Sequence, residues 1–373
     1  MKARLMTGCV LLALAALPAA ASAIELYGQA HVSLDAVSSG SGDIDVDGNL
    51  VPAKKNSFLI SSNRSFIGLR GREGVRDQWA VVWQYEQGVD LDDGSWSNDG
   101  RDSFVGLDSN LGTLLVGRHA TPYRVLTDRL DIFIDTRADQ SAVVGAVAGQ
   151  SLFNEVSRNI LYYTSPQDRR LRFSLAYIAN RARDEMPHDA AQADLNGLSS
   201  TLIFDSGPLY FGLGYERLGQ VDSPTQKAAT AAKAALGWDF EQGTKVALIW
   251  EQADNGVRLV TGDESRAAWY ASISHLTGNF TWKFAYGMLG KLDSTPDSGA
   301  QMIALGVSYA MSPRTELYLF SATMLNESRA AYALQPDHDD RGERGGSVLQ
   351  PAAAGDNVTT ISAGLIHRFN IGL

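Results

Sequence analysis

The chain alternates strictly between two kinds of side chain over residues 24–36. Successive side chains of a β-strand point to opposite faces, so this segment has one apolar or small face and one polar face. Its thirteen residues exceed the about 5–6 of a usual globular strand. They suit a membrane-spanning strand, which needs about 9–11 tilted residues. The apolar or small set is Ile24, Leu26, Gly28, Ala30, Val32, Leu34 and Ala36, and the polar set is Glu25, Tyr27, Gln29, His31, Ser33 and Asp35.

The same period-two pattern returns along the whole chain and predicts sixteen strands in all. A single-chain bacterial barrel needs an even number of strands when both chain ends lie on one side. The segments after the first are 57–72, 76–88, 101–109, 112–118, 158–165, 170–179, 197–205, 208–217, 228–240, 243–253, 266–275, 279–289, 300–310, 314–323 and 358–369.

The connections between these segments are sorted by length. Short links such as 73–75, 109–111 and 205–207 alternate with long polar links such as 119–157 and 324–357. Outer-membrane barrels have short turns at the periplasmic rim and long loops at the extracellular rim. A soluble β-sandwich has no reason to sort its connections in this way. The expected fold class is therefore all-β, a sixteen-stranded antiparallel transmembrane β-barrel.

The membrane explains why such a sheet closes. Hydrocarbon offers no partner to backbone N–H and C=O groups, so a sheet in lipid must pair its first strand with its last. The apolar faces then point outward and the polar faces line the interior. About sixteen strands leave a water-filled channel, whereas about eight fill their interior with side chains. The strand number thus predicts a channel for small polar solutes.

The N-terminus has the pattern of a secretory signal peptide. Lys2 and Arg4 precede an apolar stretch, residues 5–17, and the small residues 21–23 follow. The apolar stretch is shorter than the about 20 residues of a spanning helix. We therefore expect a cleaved signal, 1–23, and an exported protein in the Gram-negative cell outer membrane.

The remaining residues, 24–373, form the expected barrel domain. Without Lys2 and Arg4 its 30 basic and 42 acidic residues give a net charge of −12, which argues against nucleic-acid binding. Cys9, the one cysteine, leaves with the signal, so no disulfide or thiolate metal site is expected. We expect no metal and no cofactor. A lipoprotein anchored through Cys9 is the disfavoured alternative, because the apolar stretch lies mainly after it.

Several stretches resemble the Gram-negative general diffusion porins, a family of trimeric sixteen-stranded outer-membrane proteins. The first strand begins IELYG, and residues 63–71 read NRSFIGLRG, like the family's second strand. Residues 101–118 carry RDSFVGL and LGTLLVGR, and residues 158–166 carry RNILYYTSP. The final strand resembles the family's last strand up to Phe369, but four residues follow it, where relatives usually end in an aromatic residue.

The resemblance implies an inward-folded third loop that narrows the barrel. Residues 119–157 occupy that place and are longer than an ordinary connection. The spacing of acidic residues around 130–134 suits one face of a short helix. By resemblance, the wall of the constriction carries Arg64, Arg118 and Arg158. The acidic candidates on the loop are Asp128, Asp131 and Asp135, with Asp139 as a further one.

The implied mechanism is electrostatic sieving without catalysis. Opposed charges across a narrow water-filled gap create a transverse field that orients polar solutes and disfavours apolar ones. The resemblance also implies a homotrimer, contacts with outer-membrane lipid and lipopolysaccharide, and insertion by the barrel-assembly machinery. The expected function is passive diffusion of ions and small hydrophilic solutes.

Three other functions stay open at this stage. A substrate-selective channel for anions or sugars is the main alternative, although sixteen strands and few lysines favour the general type. An outer-membrane enzyme would need a nucleophile beside a base, and His275 near Ser272 and Ser274 is the one candidate cluster. An adhesive or structural role would use the long charged loop 324–357, where the charged residues are Asp337, Asp339, Asp340, Arg341, Glu343 and Arg344.

Overall fold

The computed structural model describes most of the expected barrel domain. The predicted signal peptide lies outside the described residues except for Ala23, and so do the charged residues of 335–353 in the last loop. The described residues are 23–39, 43–44, 50–51, 55–97, 101–147, 150–179, 196–219, 227–255, 264–334 and 354–372.

All sixteen predicted strands are present and form one antiparallel sheet. β2 consists of two segments that follow each other along β1. The strands are β1 Ala23–Ser39, β2 Lys55–Ser62 and Phe66–Arg76, β3 Trp79–Asp90, β4 Ser103–Ser109, β5 Gly112–Ala120, β6 Val156–Thr164, β7 Leu171–Ile178, β8 Gly197–Asp205, β9 Leu209–Leu218, β10 Ala229–Asp239, β11 Thr244–Asp254, β12 Ser265–Thr277, β13 Phe280–Leu289, β14 Ala300–Ser312, β15 Thr315–Asn326 and β16 Val358–Gly372.

The sheet closes between its first and last strands. β1 pairs with β2 on one side and with β16 on the other, from Glu25 opposite Gly372 to Ser39 opposite Val358. The predicted last strand is longer than expected, because the residues after Phe369 continue the ladder with β1. In the described residues every barrel strand has a neighbour on both sides, although the Lys55–Ser62 segment of β2 pairs with β1 alone. Such closure is what a sheet in hydrocarbon requires.

The turns and loops alternate as predicted. Short turns such as 110–111, 278–279 and 313–314 lie at one rim, and the long connections lie at the other. The first short turn lies at 77–78 and not at 73–75 as predicted, because β2 continues to Arg76 across an irregularity after Gly74. By the rule for outer-membrane barrels, the short-turn rim is periplasmic.

The outer surface of the barrel is apolar, as the alternation predicted. On β1 Leu34 is exposed, whereas its neighbours Ser33 and Asp35 are buried inside. The same series continues around the barrel on the lipid side. Examples are Ile60, Leu69, Val105, Val116, Leu161, Leu202, Leu213, Leu236, Leu248, Ile273, Phe284, Leu305 and Leu319.

In the described residues, five two-residue strands lie outside the barrel ladder or at its rim. Asp43–Ile44 pairs with Leu50–Val51, Ala146–Val147 with Gln150–Ser151, and Ser95–Trp96 with the end of β3. Among the described residues, no helix has the length and hydrophobicity that crossing a membrane would need.

The third loop, residues 121–155, folds into the barrel interior. Its helix α1, Pro122–Asp128, begins at Thr121, whose side chain accepts a hydrogen bond from the Arg124 N–H. A 3-10 turn, Gln140–Ala142, begins after Asp139 in the same way. The helix predicted around 130–134 is therefore wrong in position. The chain there forms turns, because the Asp131 carboxylate accepts the Phe133 N–H and competes with helical bonding.

Candidate functional site

Loop 3 (residues 121–155) packs its apolar side chains into spaces that glycines leave on the inner wall. A Cβ atom at Gly214 or Gly237 would lie 2.9 Å from Leu126 Cδ2 or 2.6 Å from Leu130 Cδ2. Real Cβ contacts do not reach such distances, so a larger residue would force the leucine side chain above it to move. Contacts of this kind in the described residues include Leu126 on Gly212 and Gly214 of β9, Leu130 on Gly237 of β10, Val143 on Gly287 of β13, and Phe133 on Gly306 of β14.

A buried ionic cluster on β10–β12 holds the two ends of loop 3. Glu251 accepts hydrogen bonds from Tyr123 Oη at 2.6 Å, from the Gly145 N–H at 2.8 Å and from Arg266 Nη2 at 2.7 Å. Arg266 also donates to the Ala146 carbonyl. All of these charged side chains lie on barrel strands, whereas the groups they hold belong to the loop. The cluster therefore clasps the loop against the wall.

Lys233 completes this cluster on β10. Its Nζ donates to Asn154 Oδ1 at 2.7 Å and to the Tyr123 carbonyl at 3.1 Å, and it lies over the Tyr123 ring. Lys233 thus joins the first turn of α1 to the far end of the loop. Together Lys233, Glu251 and Arg266 form what we call the base clasp.

The middle of loop 3 crosses the lumen and contacts β1 and β2 through two ion pairs. Asp135 Oδ1 lies 3.2 Å from Arg64 Nε, which joins a predicted loop acid to a predicted wall arginine. Two residues later, Arg137 Nε lies 3.4 Å from Asp35 Oδ2 of β1. Arg137 also donates to Ser61 Oγ at 3.0 Å. In these two ion pairs the loop contributes one acidic and one basic residue, and the wall contributes the opposite charge to each.

Asp35 is completely buried and is held by serine hydroxyls. Ser33, Ser61 and Ser362 donate to its carboxylate at 3.0, 2.7 and 2.5 Å. Burying a carboxylate is costly unless such donors and an opposite charge accompany it. Neither Asp35 nor Arg137 was predicted as a site residue, because they lie 102 positions apart in the sequence.

The other predicted loop acids have different surroundings. Asp131 accepts the N–H groups of Phe133 and Gln140 at 2.8 and 2.9 Å, so it organises the loop backbone. Burial raises the pKa of Asp131, and the neighbouring Asp139 raises it further. Asp139 itself accepts the Asp135 and Ser141 N–H groups. These two carboxylates therefore shape the loop on which Asp135 stands.

Asp128 ends α1 and lies half-buried near an arginine of its own helix. Burial raises the pKa of Asp128 to about 6; the charge of Arg124 opposes the shift, and Asp139 and Asp135 reinforce it. Arg124 also lies within electrostatic range of Arg64. Sequence reasoning missed Arg124, although it lies one helical turn before Asp128, a spacing that brings side chains together.

Arg118 of β5 and Arg158 of β6 are brought side by side. Ser157 pairs with His119 and Ile160 with Gly117, so Arg158 and Asn159 both stand opposite Arg118. Leu114 and Val116 face outward, and in a strictly alternating strand Arg118 would face outward as well. The positive φ of Gly117 and of Asn159 interrupts that alternation. The placement of Arg118 and Arg158 in the constriction wall stays a prediction.

A further arginine on the same side was missed. Arg101 Nε lies 3.3 Å from Glu86 Oε2, and its guanidinium stacks 4.1 Å from the centre of the Phe66 ring. Tyr27 Oη donates to the same Glu86 carboxylate at 2.7 Å. The sequence contained a signal, because Arg101 begins the RDSFVGL stretch that resembles the family.

The serine and histidine residues of the possible hydrolase cluster lie on opposite faces of β12. Ser272 and Ser274 are buried toward the loop side, and Ser272 Oγ donates to the Leu130 carbonyl. His275 is exposed and contacts Thr244 Oγ1 through Nδ1 at 2.8 Å. The imidazole therefore cannot act as a base for either hydroxyl in this arrangement.

The chain thus forms a closed sixteen-stranded barrel with a loop folded across its lumen, and its sequence can be compared with known families. The profile of the Gram-negative porins matches residues 8–329. This chain belongs to the Gram-negative porin family. As a porin, it lies in the outer membrane and forms a water-filled channel for ions and small hydrophilic solutes.

Individual relatives agree with this assignment. The porin is 26% identical over 329 residues to a major outer membrane protein P.IB of Neisseria meningitidis serogroup A, which covers 86% of this chain and 93% of the relative. It is 24% identical to an outer membrane porin protein of Bordetella pertussis over 87% of this chain and 95% of the relative. Both similarities extend over nearly the whole barrel.

Solved structures show the same fold at lower identity. An anion-selective porin from Comamonas acidovorans superposes with a TM-score of 0.70 at 21% identity, over 93% of this chain and 100% of that one. OmpT of Vibrio cholerae, in a trimer form, gives a TM-score of 0.58 at 16% identity, over 94% and 100%.

Proposed function

We propose that solutes pass between loop 3 and the β1–β6 side of the lumen, and that the charges facing each other there select among them. The wall contributes Arg64, Arg118 and Arg158, and the loop contributes Asp128 and Asp135. Asp131 takes part by folding the loop.

The observation that carries this proposal is the contact between Asp135 Oδ1 and Arg64 Nε. It joins the loop to the wall, and Arg124 and Asp128 lie close by. Fixed charges of both signs around a narrow aqueous gap produce a field across it. A solute without a dipole gains nothing from that field and loses its hydration, so passage favours polar solutes.

General diffusion is the main function and anion selectivity the alternative. The alternative is supported by the similarity to an anion-selective porin and by the three arginines proposed for the wall. Current recorded across a planar bilayer in a salt gradient distinguishes the two. A small reversal potential and unsaturated flux of sugars support general diffusion. A strongly anion-selective reversal potential supports the alternative, and a silent bilayer contradicts both.

We further propose that the exported porin begins near Ile24 and assembles as a homotrimer that contacts lipopolysaccharide after insertion by the barrel-assembly machinery. The trimer form of the Vibrio cholerae relative supports the oligomeric state. N-terminal sequencing of protein from outer membranes tests the cleavage site. Conductance steps in groups of three and the mass of the detergent complex test the trimer.

A further inference from the structure

β2 contains one residue more than its partner strand at the level of loop 3. Ser62 pairs with Val32 and Phe66 pairs with Gln29. Between these pairs, residues 63–65 stand opposite only two residues of β1. One extra residue on one strand defines a β-bulge, which redirects side chains and is frequent near functional sites. Arg64, at the centre of the bulge, has a positive φ of 54°.

Two uncharged side chains hold this bulge. Ser65 Oγ accepts the His31 N–H at 2.9 Å and donates to the His31 carbonyl at 3.0 Å. Asn63 Nδ2 donates to Ser33 Oγ at 2.7 Å. These bonds replace ladder bonds that the extra residue interrupts. They fix Arg64 in a backbone conformation that a residue with a Cβ adopts only under such constraint.

The bulge changes which residues of β2 face the lumen. Before it Ile60 is 62% exposed to the outside and Ser61 is buried inside; after it Ile67 is again outside. In a regular strand Ser61 and Arg64, three positions apart, would face opposite sides. The extra residue places both on the lumen side.

The two lumen-facing residues match two residues of the loop. Ser61 accepts a hydrogen bond from Arg137, and Arg64 forms an ion pair with Asp135. Asp135 and Arg137 stand two positions apart on loop 3, and Asp135 has a positive φ of 57° that aims it at the wall. Both contacts therefore need the bulge, because a regular β2 would offer one of them and turn the other into the lipid.

We propose that the bulge at 63–65 is the receiving site for the middle of loop 3, and that Asn63 and Ser65 are positioning residues for ion selectivity. This inference rests on the proposed constriction between Arg64 and Asp135. Neither Asn63 nor Ser65 carries a charge. Any change in selectivity on their substitution must therefore come from a displaced Arg64 or a displaced loop.

The test compares Ser65→Ala with Ser298→Ala in the complete porin. Ser298 Oγ also accepts one backbone N–H, that of Leu292, and donates to one carbonyl, that of Thr295, but it lies in the connection between β13 and β14. We expect Ser65→Ala to move the salt-gradient reversal potential and to increase open-channel current noise. We expect Ser298→Ala to leave both unchanged, and Ser65→Thr, which keeps the hydroxyl, to restore the parent values.

Asn63→Ala gives a second test, because it removes a different bond of the same bulge. Arg64→Gln is measured beside both variants. If Arg64→Gln changes the reversal potential while Ser65→Ala and Asn63→Ala do not, the positioning role is wrong and the constriction stands. If Arg64→Gln also changes nothing, the proposed constriction is itself wrong. A loss of heat resistance with unchanged selectivity would show a merely structural bulge and would overturn the inference.

Discussion

On β9–β14 most inward-facing side chains are small or apolar, and loop 3 covers them; on β1–β6 most are polar or charged, and they face the remaining space. The first side resembles a protein core, with Tyr210, Tyr270 and Met302 fully enclosed. The second side carries paired charges such as Arg64 with Asp135 and Arg101 with Glu86. The lumen wall therefore has a docking side and an electrostatic side.

The difference shows how one alternating pattern can serve two purposes. A lumen-facing position needs a polar residue only where water reaches it. Where the loop covers the wall, glycine and alanine make room and the apolar side chains gain burial, about 25 cal/mol for each Å². In the base clasp, charged residues are buried on the docking side and each has partners.

The largest effect is expected from Glu251→Gln on the docking side. The substitution leaves Arg266 and Lys233 buried without their shared carboxylate, and removing one partner of a buried pair costs about 3–5 kcal/mol. Thermal unfolding in detergent should show a large loss of stability, and the channel should lose its single conductance level. The matched control is Arg72→Gln, which breaks an exposed pair with Asp108 and should cost about 0–1 kcal/mol. Equal losses would contradict the clasp.

A smaller effect is expected from filling one of the spaces under the loop. Gly237→Val would push a Cβ to 2.6 Å from Leu130 Cδ2, and overpacking of this kind costs about 1–3 kcal/mol. Loop 3 should shift toward the electrostatic side and lower the conductance. Gly74→Val is the control, because nothing lies within 4 Å of a Cβ at that position. An unchanged conductance in Gly237→Val would mean that the glycine does not determine where the loop lies.

The sequence predicted the two sides unequally. Alternation gave all sixteen strands, since lipid imposes an apolar outer face on every one of them. The family resemblance also predicted Arg64 and Asp135 as site residues, and the structure contains a contact between them. The pairing of Asp35 with Arg137 could not be predicted, because it depends on the position that loop 3, about a hundred residues later, takes inside the barrel. The bulge was also missed, since residues 57–72 read as one strand and a single inserted residue leaves composition unchanged.

On the electrostatic side, Arg64→Gln should shift the reversal potential toward cations and Asp135→Asn toward anions. The two residues touch, so their effects should not be additive in the double variant. Arg118→Gln, measured in the same salt gradient, tests whether Arg118 lies in the constriction wall, as predicted. A shift equal to that of Arg64→Gln would place Arg118 at the constriction, and an unchanged potential would remove it.

The smallest effect is a dependence of selectivity on pH that comes from Asp128. Its pKa is raised to about 6 by burial and by the neighbouring carboxylates, so the group is anionic above that pH and neutral below it. Lowering the pH from about 7.5 to about 5 crosses the raised pKa of Asp128 and so removes one negative charge from the loop. The reversal potential should therefore move toward anions. Asp128→Asn is the control, because the variant lacks the carboxyl and should lose this pH dependence. An identical pH dependence in both proteins would contradict the role of Asp128.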